Sequence, residues 1–312
     1  MMDAKTIMEG YTYSPLSFLN RRQEALGADF LKALQSDVSS GELSCIKDGS
    51  GQTEIYYRAL PWDTNYFKIP TYRIDFMHSL LMKGEGVASL ENLLVTLDSQ
   101  LSKLHGKYYI FAEIPSEGLT SLQALCLARW KLIETRLTYF SDKVQSHAYP
   151  KRFATKDATA EDIEPLRITA KACRNDFDRF HADFSFSEEV ADEFLGTFIE
   201  NSIKGYADIT MIPEASDGAP DAFLTANLMP AEYCGDSAKI GKMILSAVGR
   251  SRRGWYVKLI SEMTYRFKDL GIDLAFMTTQ STNRAVIKTW EKLGYSYGKS
   301  THVFAMVSGG AK

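Results

Sequence analysis

Val248-Gly249-Arg250-Ser251-Arg252-Arg253-Gly254-Trp255-Tyr256 is the stretch on which the reading turns. It follows an apolar run at 242–248 that reads as a strand. It also opens a segment in which Leu259, Ile260, Met263, Phe267 and Leu270 fall at helical spacing before Gly271 ends it. A helix start carries partial positive charge, so a cation placed there costs about 0.3–1 kcal/mol. Three arginines nevertheless crowd this start, where Asp, Ser or Thr would stabilise the helix. A bound anion reverses the sign, because backbone N–H groups and guanidinium groups would both hold a phosphate. Gly254 lets the backbone approach such a ligand with no side chain between. The plain alternative is a solvated basic loop.

Outward from this stretch, the chain reads as one plan used twice. Downstream come a strand at 272–279, a helix from Asn283 to Leu293 and a strand at 301–307. Upstream, strands at 54–60 and 71–77 precede a helical pattern at Leu90, Leu93, Leu94, Leu97, Leu101 and Leu104. A strand at 108–114, a helix near 120–129 and a strand at 131–140 complete that unit. The helix exits also match, Arg129-Trp130-Lys131-Leu132-Ile133 beside Trp290-Glu291-Lys292-Leu293-Gly294. The expectation is an α/β fold with mixed sheet in tandem units, although two similar α/β layers also arise by chance. The expected limits are 1–53 for an N-terminal helical extension, 54–148 for the first unit and 149–312 for the second. Residues 14–38 show helical spacing through Leu16, Leu19, Leu26, Phe30, Leu31 and Leu34, and 39–52 is a Gly/Ser-rich break. Between the units, Ser185 is placed to cap a helix with Glu188 three residues on. That helix would bury Val190, Ala191, Phe194, Leu195, Phe198, Ile199 and Ile203 and stop at Gly205, and 215–221 reads as a loop.

Composition narrows the function classes. The 312 residues are 45% hydrophobic with a formal charge of −3, which favours neither nucleic acid nor a membrane surface as partner. No apolar run approaches the roughly 20 residues of a membrane span, and the N-terminus has no signal-like apolar core. Cys45, Cys126, Cys173 and Cys234 stand apart with no CxxC pair, so buried free thiols and a cytoplasmic setting are expected. The five histidines form no HxxxH or HxH pair, so no metal site is expected.

These residues resemble the GNAT acetyltransferase superfamily, whose R/Q-x-x-G-x-G/A loop wraps the pyrophosphate of acetyl-CoA at a helix start. With Gly254 on the first motif glycine, Trp290-Glu291-Lys292-Leu293-Gly294-Tyr295 falls on the family's L-Y-x-K-L-G-F ending. Arg179-Phe180-His181-Ala182-Asp183, followed by Phe198-Ile199-Glu200-Asn201, is similar to the R-F-x-x-D … W-I-x-N stretch of dTDP-fucosamine acetyltransferase-like proteins. Leu60-Pro61-Trp62-Asp63-Thr64-Asn65-Tyr66-Phe67 is similar to the W-D-x-x-F-F start of their reduced N-terminal half. The resemblance implies an acetyl-CoA-dependent N-acyltransferase acting on a small amine, with a nucleotide-linked amino sugar as the narrower acceptor. A catalytically silent acyl-CoA-binding relative is the alternative. A homodimer is compatible with either.

The resemblance also implies roles. Ser246, Ala247, Val248, Arg250, Ser251, Arg252, Arg253, Gly254, Trp255, Tyr256, Asn283 and Trp290 would contact acetyl-CoA. Arg179, Phe180, His181 and Asp183 would face the acceptor, or serve as a cap and core contacts. Two positions depart from the family pattern. Tyr256 stands where the loop has a second glycine or alanine, and Trp290 stands where the family has a tyrosine acid. An indole N–H donates a hydrogen bond but is no acid near neutral pH, so Tyr295 and Tyr297, or Tyr256, would substitute. Trp290 would shape the acyl pocket. The strand at 242–248 offers no carboxylate base, which leaves deprotonation of the amine to a water relay.

Overall fold

The computed structural model describes residues 4–19, 22–214, 218–229 and 238–308. The chain forms two compact units, Met1–Arg136 with Lys299–Lys312, and Leu137–Gly298.

In the first unit, α1 (Ala4–Tyr13) and α2 (Gln23–Ser40) precede β1 (Ser44–Lys47), β2 (Thr53–Ala59), α3 (Pro61–Phe67) and β3 (Thr71–Ser79). Then come α4 (Lys83–His105), β4 (Tyr108–Pro115), α5 (Leu119–Leu127) and β5 (Lys131–Ser141), whose residues from Leu137 onward belong to the second unit. The strands run in the order β1-β2-β3-β4, and the 301–308 part of the last strand, β11 (Ser296–Ser308), pairs antiparallel with β4. β3 and β4 pair parallel, whereas β1–β2, β2–β3 and β4–β11 are antiparallel. The leucines at 90, 94 and 97 pack on Ile55, Ile74 and Ile110 from one face. Leu31 and Leu34 of α2 pack on Phe76 from the other.

The helical spacing read across 14–38 is a turn followed by one helix, α2, while α1 ends just before it at Tyr13. Ser14 precedes Pro15, and the residue before a proline is steered away from helical backbone. The chain turns at 14–19, where Leu16 is fully buried and its N–H bonds to the Ser14 hydroxyl at 3.3 Å. Helix α3, led by a proline in its first turn, was not expected from the sequence.

In the second unit β6 (Thr155–Asp157), α6 (Ile163–Ala172), α7 (Arg179–Ala182) and α8 (Glu188–Asn201) lead to β7 (Ile209–Pro213) and β8 (Ala222–Met229). Next follow β9 (Ile240–Val248), α9 (Trp255–Asp269), β10 (Leu274–Gln280) and α10 (Arg284–Lys292). The sheet order is β10-β9-β8-β7-β6, with β9 and β10 parallel and the other pairs antiparallel. Leu259, Ile260, Met263 and Phe267 of α9 pack on Met243, Ala275 and Met277. On the opposite face Leu166, Ala170 and Ile199 cover Ile212 and Phe223. Both units therefore layer helices on the two faces of a mixed α/β sheet, as the alternating pattern predicted.

Three local expectations change. Ser187, not Ser185, caps α8, accepting from Val190 N at 3.4 Å, while the Ser185 N–H is turned to the Asp183 carboxylate at 3.1 Å. With the cap moved two residues on, Val190 lies 38% exposed instead of in the buried face. Cys45 and Cys173 are half-buried free thiols, but Cys126 is exposed because α5 turns it away from the sheet; Cys234 and residues 215–217 of the expected loop lie outside the described residues. No helix among the described residues is long and apolar enough to cross a membrane.

Helix α9 is strapped into place by the segment that precedes β6. His147 Nε2 meets Ser261 Oγ at 3.1 Å and Tyr149 N donates to the Tyr265 hydroxyl at 2.7 Å. Glu262, whose side chain is only 3% exposed, accepts from Arg152 Nε at 2.9 Å and from Phe153 N at 2.8 Å. Truncation at 262 leaves the half-buried Phe153 N–H without its acceptor, whereas glutamine keeps one. Glu262→Ala is expected to lose about 1–3 kcal/mol of stability and Glu262→Gln distinctly less, read by chemical denaturation.

Candidate functional site

The arginine-bearing stretch forms a tight turn between β9 and α9. Arg250–Arg252 make one turn of 3-10 helix, and Gly254 caps α9 in the left-handed region at φ 87°. No side chain caps this helix and its first turn holds no acid. A Cβ on Gly254 would meet nothing within 4 Å, so the glycine serves the backbone conformation and the space before the helix start is open. Arg250 and Arg253 are exposed there, and Arg252 is half-buried.

Asp221 holds the turn in shape. Its carboxylate accepts from Ser251 N at 3.0 Å, from Ser251 Oγ at 2.6 Å and from Thr169 Oγ1 at 3.2 Å. Its carbonyl accepts from Gly249 N at 2.8 Å. A Cβ on Gly249 would sit 1.7 Å from Asp221 Oδ1, so only glycine fits. Asp221 was read as the end of a loop; its role depends on a contact between chain segments that local pattern does not reveal. The Ser251 hydroxyl is committed to this clamp.

Beside the turn, β9 and β10 part. They pair from Ile240 with Leu274 to Met243 with Met277, after which β9 continues to Val248 and β10 to Gln280. Across β8 the register shifts between Leu224 and Ala226, and the Thr225 hydroxyl takes the Leu245 N–H at 3.0 Å. Ser246 and Val248 are half-buried in the parted stretch and Ala247 is 7% exposed.

The two departures from the family pattern bond to each other here. Trp290, 2% exposed, donates its indole N–H to the Tyr256 hydroxyl at 2.8 Å. Tyr256 in turn shares a hydrogen bond with Ser246 on the parted strand, and burial pushes its phenol pKa well up. Tyr295 is 3% exposed, its hydroxyl bonded to Thr264 Oγ1 at 2.8 Å inside the core, and burial raises its pKa too. Tyr297 is 54% exposed, edge-on to Tyr139, so these two tyrosines do not share one site. Asn283 caps α10 through Val286 N at 3.4 Å, and Trp255 packs edge-on to Phe153 with Lys258 Nζ 4.7 Å from its ring.

The acceptor-side candidates form a compact knot. His181 is bonded through Nδ1 to Asp178 at 2.9 Å and through Nε2 to Asp192 at 3.1 Å. Asp183 is 1% exposed, Phe180 is 7% exposed, and the Arg179 guanidinium lies over the Phe180 ring. These residues order the α6–α8 connection, which displays Phe177 and Phe184 at 57% and 97% exposure. Neither phenylalanine was singled out in the sequence, because exposure of an apolar residue leaves no local signal.

At the equivalent helix start of the first unit the charge is different. There β3 and β4 pair only from Thr71 with Tyr109 to Ile74 with Ala112 before parting, but α4 has Glu85 in its first turn. Parted parallel strands beside a helix start thus occur in each unit. No family model and no curated protein matches this sequence. Solved structures do match in shape, led by a GCN5-related N-acetyltransferase from Sphaerobacter thermophilus at TM-score 0.58 and 11% identity, covering 96% of this chain and 93% of that one. The fold is that of the GNAT acetyltransferases. A tandem GNAT protein from the clavulanic acid biosynthesis pathway aligns at TM-score 0.53 and 12% identity over 99% of this chain and 97% of its own. A glucosamine N-acetyltransferase region of a fungal multi-domain β-N-acetylglucosaminidase aligns at TM-score 0.55 and 12% identity, over 92% of this chain and 37% of that chain. The tandem GNAT architecture read in the sequence is thus the architecture found.

The Trp290–Tyr256 bond predicts a coupling. Trp290→Phe and Tyr256→Phe each leave a buried polar group short of a partner, and each is expected to lose about 1–3 kcal/mol. The double variant removes both groups and should lose less than the sum, a non-additivity of about 0.5 kcal/mol or more in denaturation midpoints. Additive losses would show that the bond does not hold the site.

Proposed function

We propose that the second unit is an acetyl-CoA-dependent N-acyltransferase acting on a small amine. The observation that carries this reading is an uncapped helix start, preceded by three arginines and set beside two strands that part after Met243 and Met277. Backbone N–H groups at the start of α9, with Arg250 and Arg253, suit a pyrophosphate. Acetyl-CoA supplies the activated thioester. The parted stretch of β9 would place a backbone N–H of residues 244–248 against the oxyanion that forms when an amine attacks the acyl carbon.

Tyr256 has the more plausible place than Tyr295 or Tyr297 beside the departing sulfur, because it alone of the three is bonded to the parted strand. A phenol above its usual pKa of about 10 does not readily protonate a thiolate of pKa about 8.5; it stabilises the thiolate as a hydrogen-bond donor. Trp290 then orients that hydroxyl and walls the acyl end of the pocket, as a positioning residue. Loss of the thiol as an anion costs about 2 kcal/mol at pH 7 relative to its protonated form, a step the enzyme can absorb without a dedicated acid. For the acceptor, the similarity in fold to a glucosamine N-acetyltransferase region and the Arg179–Asp183 stretch support an amino sugar, carried on a nucleotide in the narrower version.

The test is release of free CoA from acetyl-CoA against a panel of amines that includes amino sugars and their nucleotide conjugates. Turnover with at least one amine is expected, and Arg253→Ala should weaken CoA binding about tenfold or more in a calorimetric titration, the scale of one charged hydrogen bond. Tight CoA binding with no turnover on any amine would make the protein a binding relative, and equal binding by wild type and variant would remove the turn from the site.

A further inference from the structure

The gap between the parted strands of the first unit is filled from within the chain. β3 and β4 stop pairing after Ile74 and Ala112, although β3 runs on to Ser79 and β4 to Pro115. In an antiparallel pair, residues that bond across the pair alternate with residues that do not. Leu80 N donates to Gln52 O, so Met77 and Ser79, opposite Ile55 and Thr53, turn their backbone groups away from β2 and into the gap.

Helix α1 meets that row. Lys5 Nζ, in its first turn, donates to Ser79 O at 2.8 Å and to Leu81 O at 3.2 Å. The hydroxyl of Tyr13, the last residue of α1, lies 3.4 Å from Met77 O and 3.3 Å from Ser121 Oγ on α5. Ser121 Oγ also donates to Met77 O, at 3.2 Å. The Tyr13 ring stands edge-on to Phe76 at 4.9 Å, and burial pushes its phenol pKa up. Tyr13 packs on two clusters, one under α4 and α5 and one under α2, which lie on opposite faces of the sheet. A side chain that touches both passes through the sheet where β3 and β4 part.

The second unit has the same register. Gly249 N bonds to Asp221 O as Leu80 N does to Gln52 O, which sets Ser246 and Val248 in the places of Met77 and Ser79. Those are the strand positions beside the turn assigned to acyl-CoA.

We propose that α1 is a built-in occupant that closes the first unit. Tyr13 and Lys5 take the strand positions that in the second unit face the acyl donor, so the chain has one acyl-CoA site and not two. That count rests on the acyl-CoA reading of the second unit; the filling of the first gap does not. Emptied of the Tyr13 side chain, the gap becomes a site for a small phenol, its ring on Phe76 and its hydroxyl on Met77 O.

The test is calorimetric titration of full-length wild type, Tyr13→Ala and Tyr13→Phe with phenol and with toluene, its isostere without a hydroxyl. Tyr13→Ala should bind phenol about threefold or more tightly than toluene, while wild type and Tyr13→Phe, which keep the ring, bind neither. A purely apolar cavity gives the reverse order, because it leaves the hydroxyl unpartnered. If Tyr13→Ala is unfolded alone, phenol should restore its near-ultraviolet circular dichroism and toluene should not. Absence of phenol binding or rescue, or toluene as effective as phenol, overturns the proposal. Wild type should also titrate with one CoA per chain. Two would overturn the closure of the first unit, whereas none would overturn the reading of the second and leave the phenol result to decide the first.

Discussion

A parallel strand pair that stops pairing partway leaves a row of backbone groups to be satisfied by something else. In this protein β9 and β10 part after Met243 and Met277. Buried backbone polar groups rarely go without partners, and on its other edge β9 is held by β8 and the segment before it, independently of β10. Thr225 takes the Leu245 N–H, and Asp221 takes the Gly249 N–H and binds Ser251. The parted strands therefore persist as a stable feature of the fold, and everything read as chemistry in the second unit is arranged beside them. The first unit has the same parting between β3 and β4. What separates the two is charge at the following helix, Glu85 in one and a run of arginines in the other. A helix start favours an anion by about 0.3–1 kcal/mol through its dipole; an acid in the first turn competes for that term, and added guanidiniums enlarge it. The parting is shared by the two units, and the charge beside it differs by a few side chains.

The same economy explains the paired departures at 256 and 290. A tyrosine where the loop has a small residue needs a partner for its hydroxyl once buried, and a tryptophan where the family has tyrosine needs one for its N–H. Each supplies the other's need at 2.8 Å. Without Tyr256 the Trp290 N–H would be buried without its partner, at about 1–3 kcal/mol, whereas Tyr256 without Trp290 would keep its bond to Ser246. The pair is one solution to one packing problem, which makes it poor evidence for a dead site.

Legibility in the sequence followed the range of the interactions. The strand–helix alternation and the apolar stripe of α9 rest on neighbours a few residues apart, and both were readable; Gly254 was read as room for a ligand, and its left-handed φ of 87° came only with the structure. The turn at 14–19 was hidden because Leu16 and Leu19 continue the helical spacing of α2 back through it, past Pro15. Ser187 lost to Ser185 because both fit a cap, and only the Asp183 carboxylate, bonded to the Ser185 N–H, separates them. Asp221 was invisible for a stronger reason: its partners Thr169, Gly249 and Ser251 come from separate segments of the chain. Two departures from a motif occurring together were the one signal that could have pointed to the Trp290–Tyr256 contact.

The destination of the last strand bears on how much of the chain is needed for function. Residues 301–308 pair along the whole of β4, so the first unit closes its sheet with the end of the chain. Without that strand β4 would present an apolar edge with open backbone groups, the kind of edge that promotes aggregation. His302 adds side-chain ties on the same strand, to Ser116 and Thr135 at 3.0 Å each. Contacts between residues so distant in sequence carry a larger loop-closure cost than local ones. The first unit therefore completes only after the second has been synthesised, and a fragment cut at 148/149 would separate β4 from the strand that covers it. On this argument the first unit's sheet depends on the end of the chain.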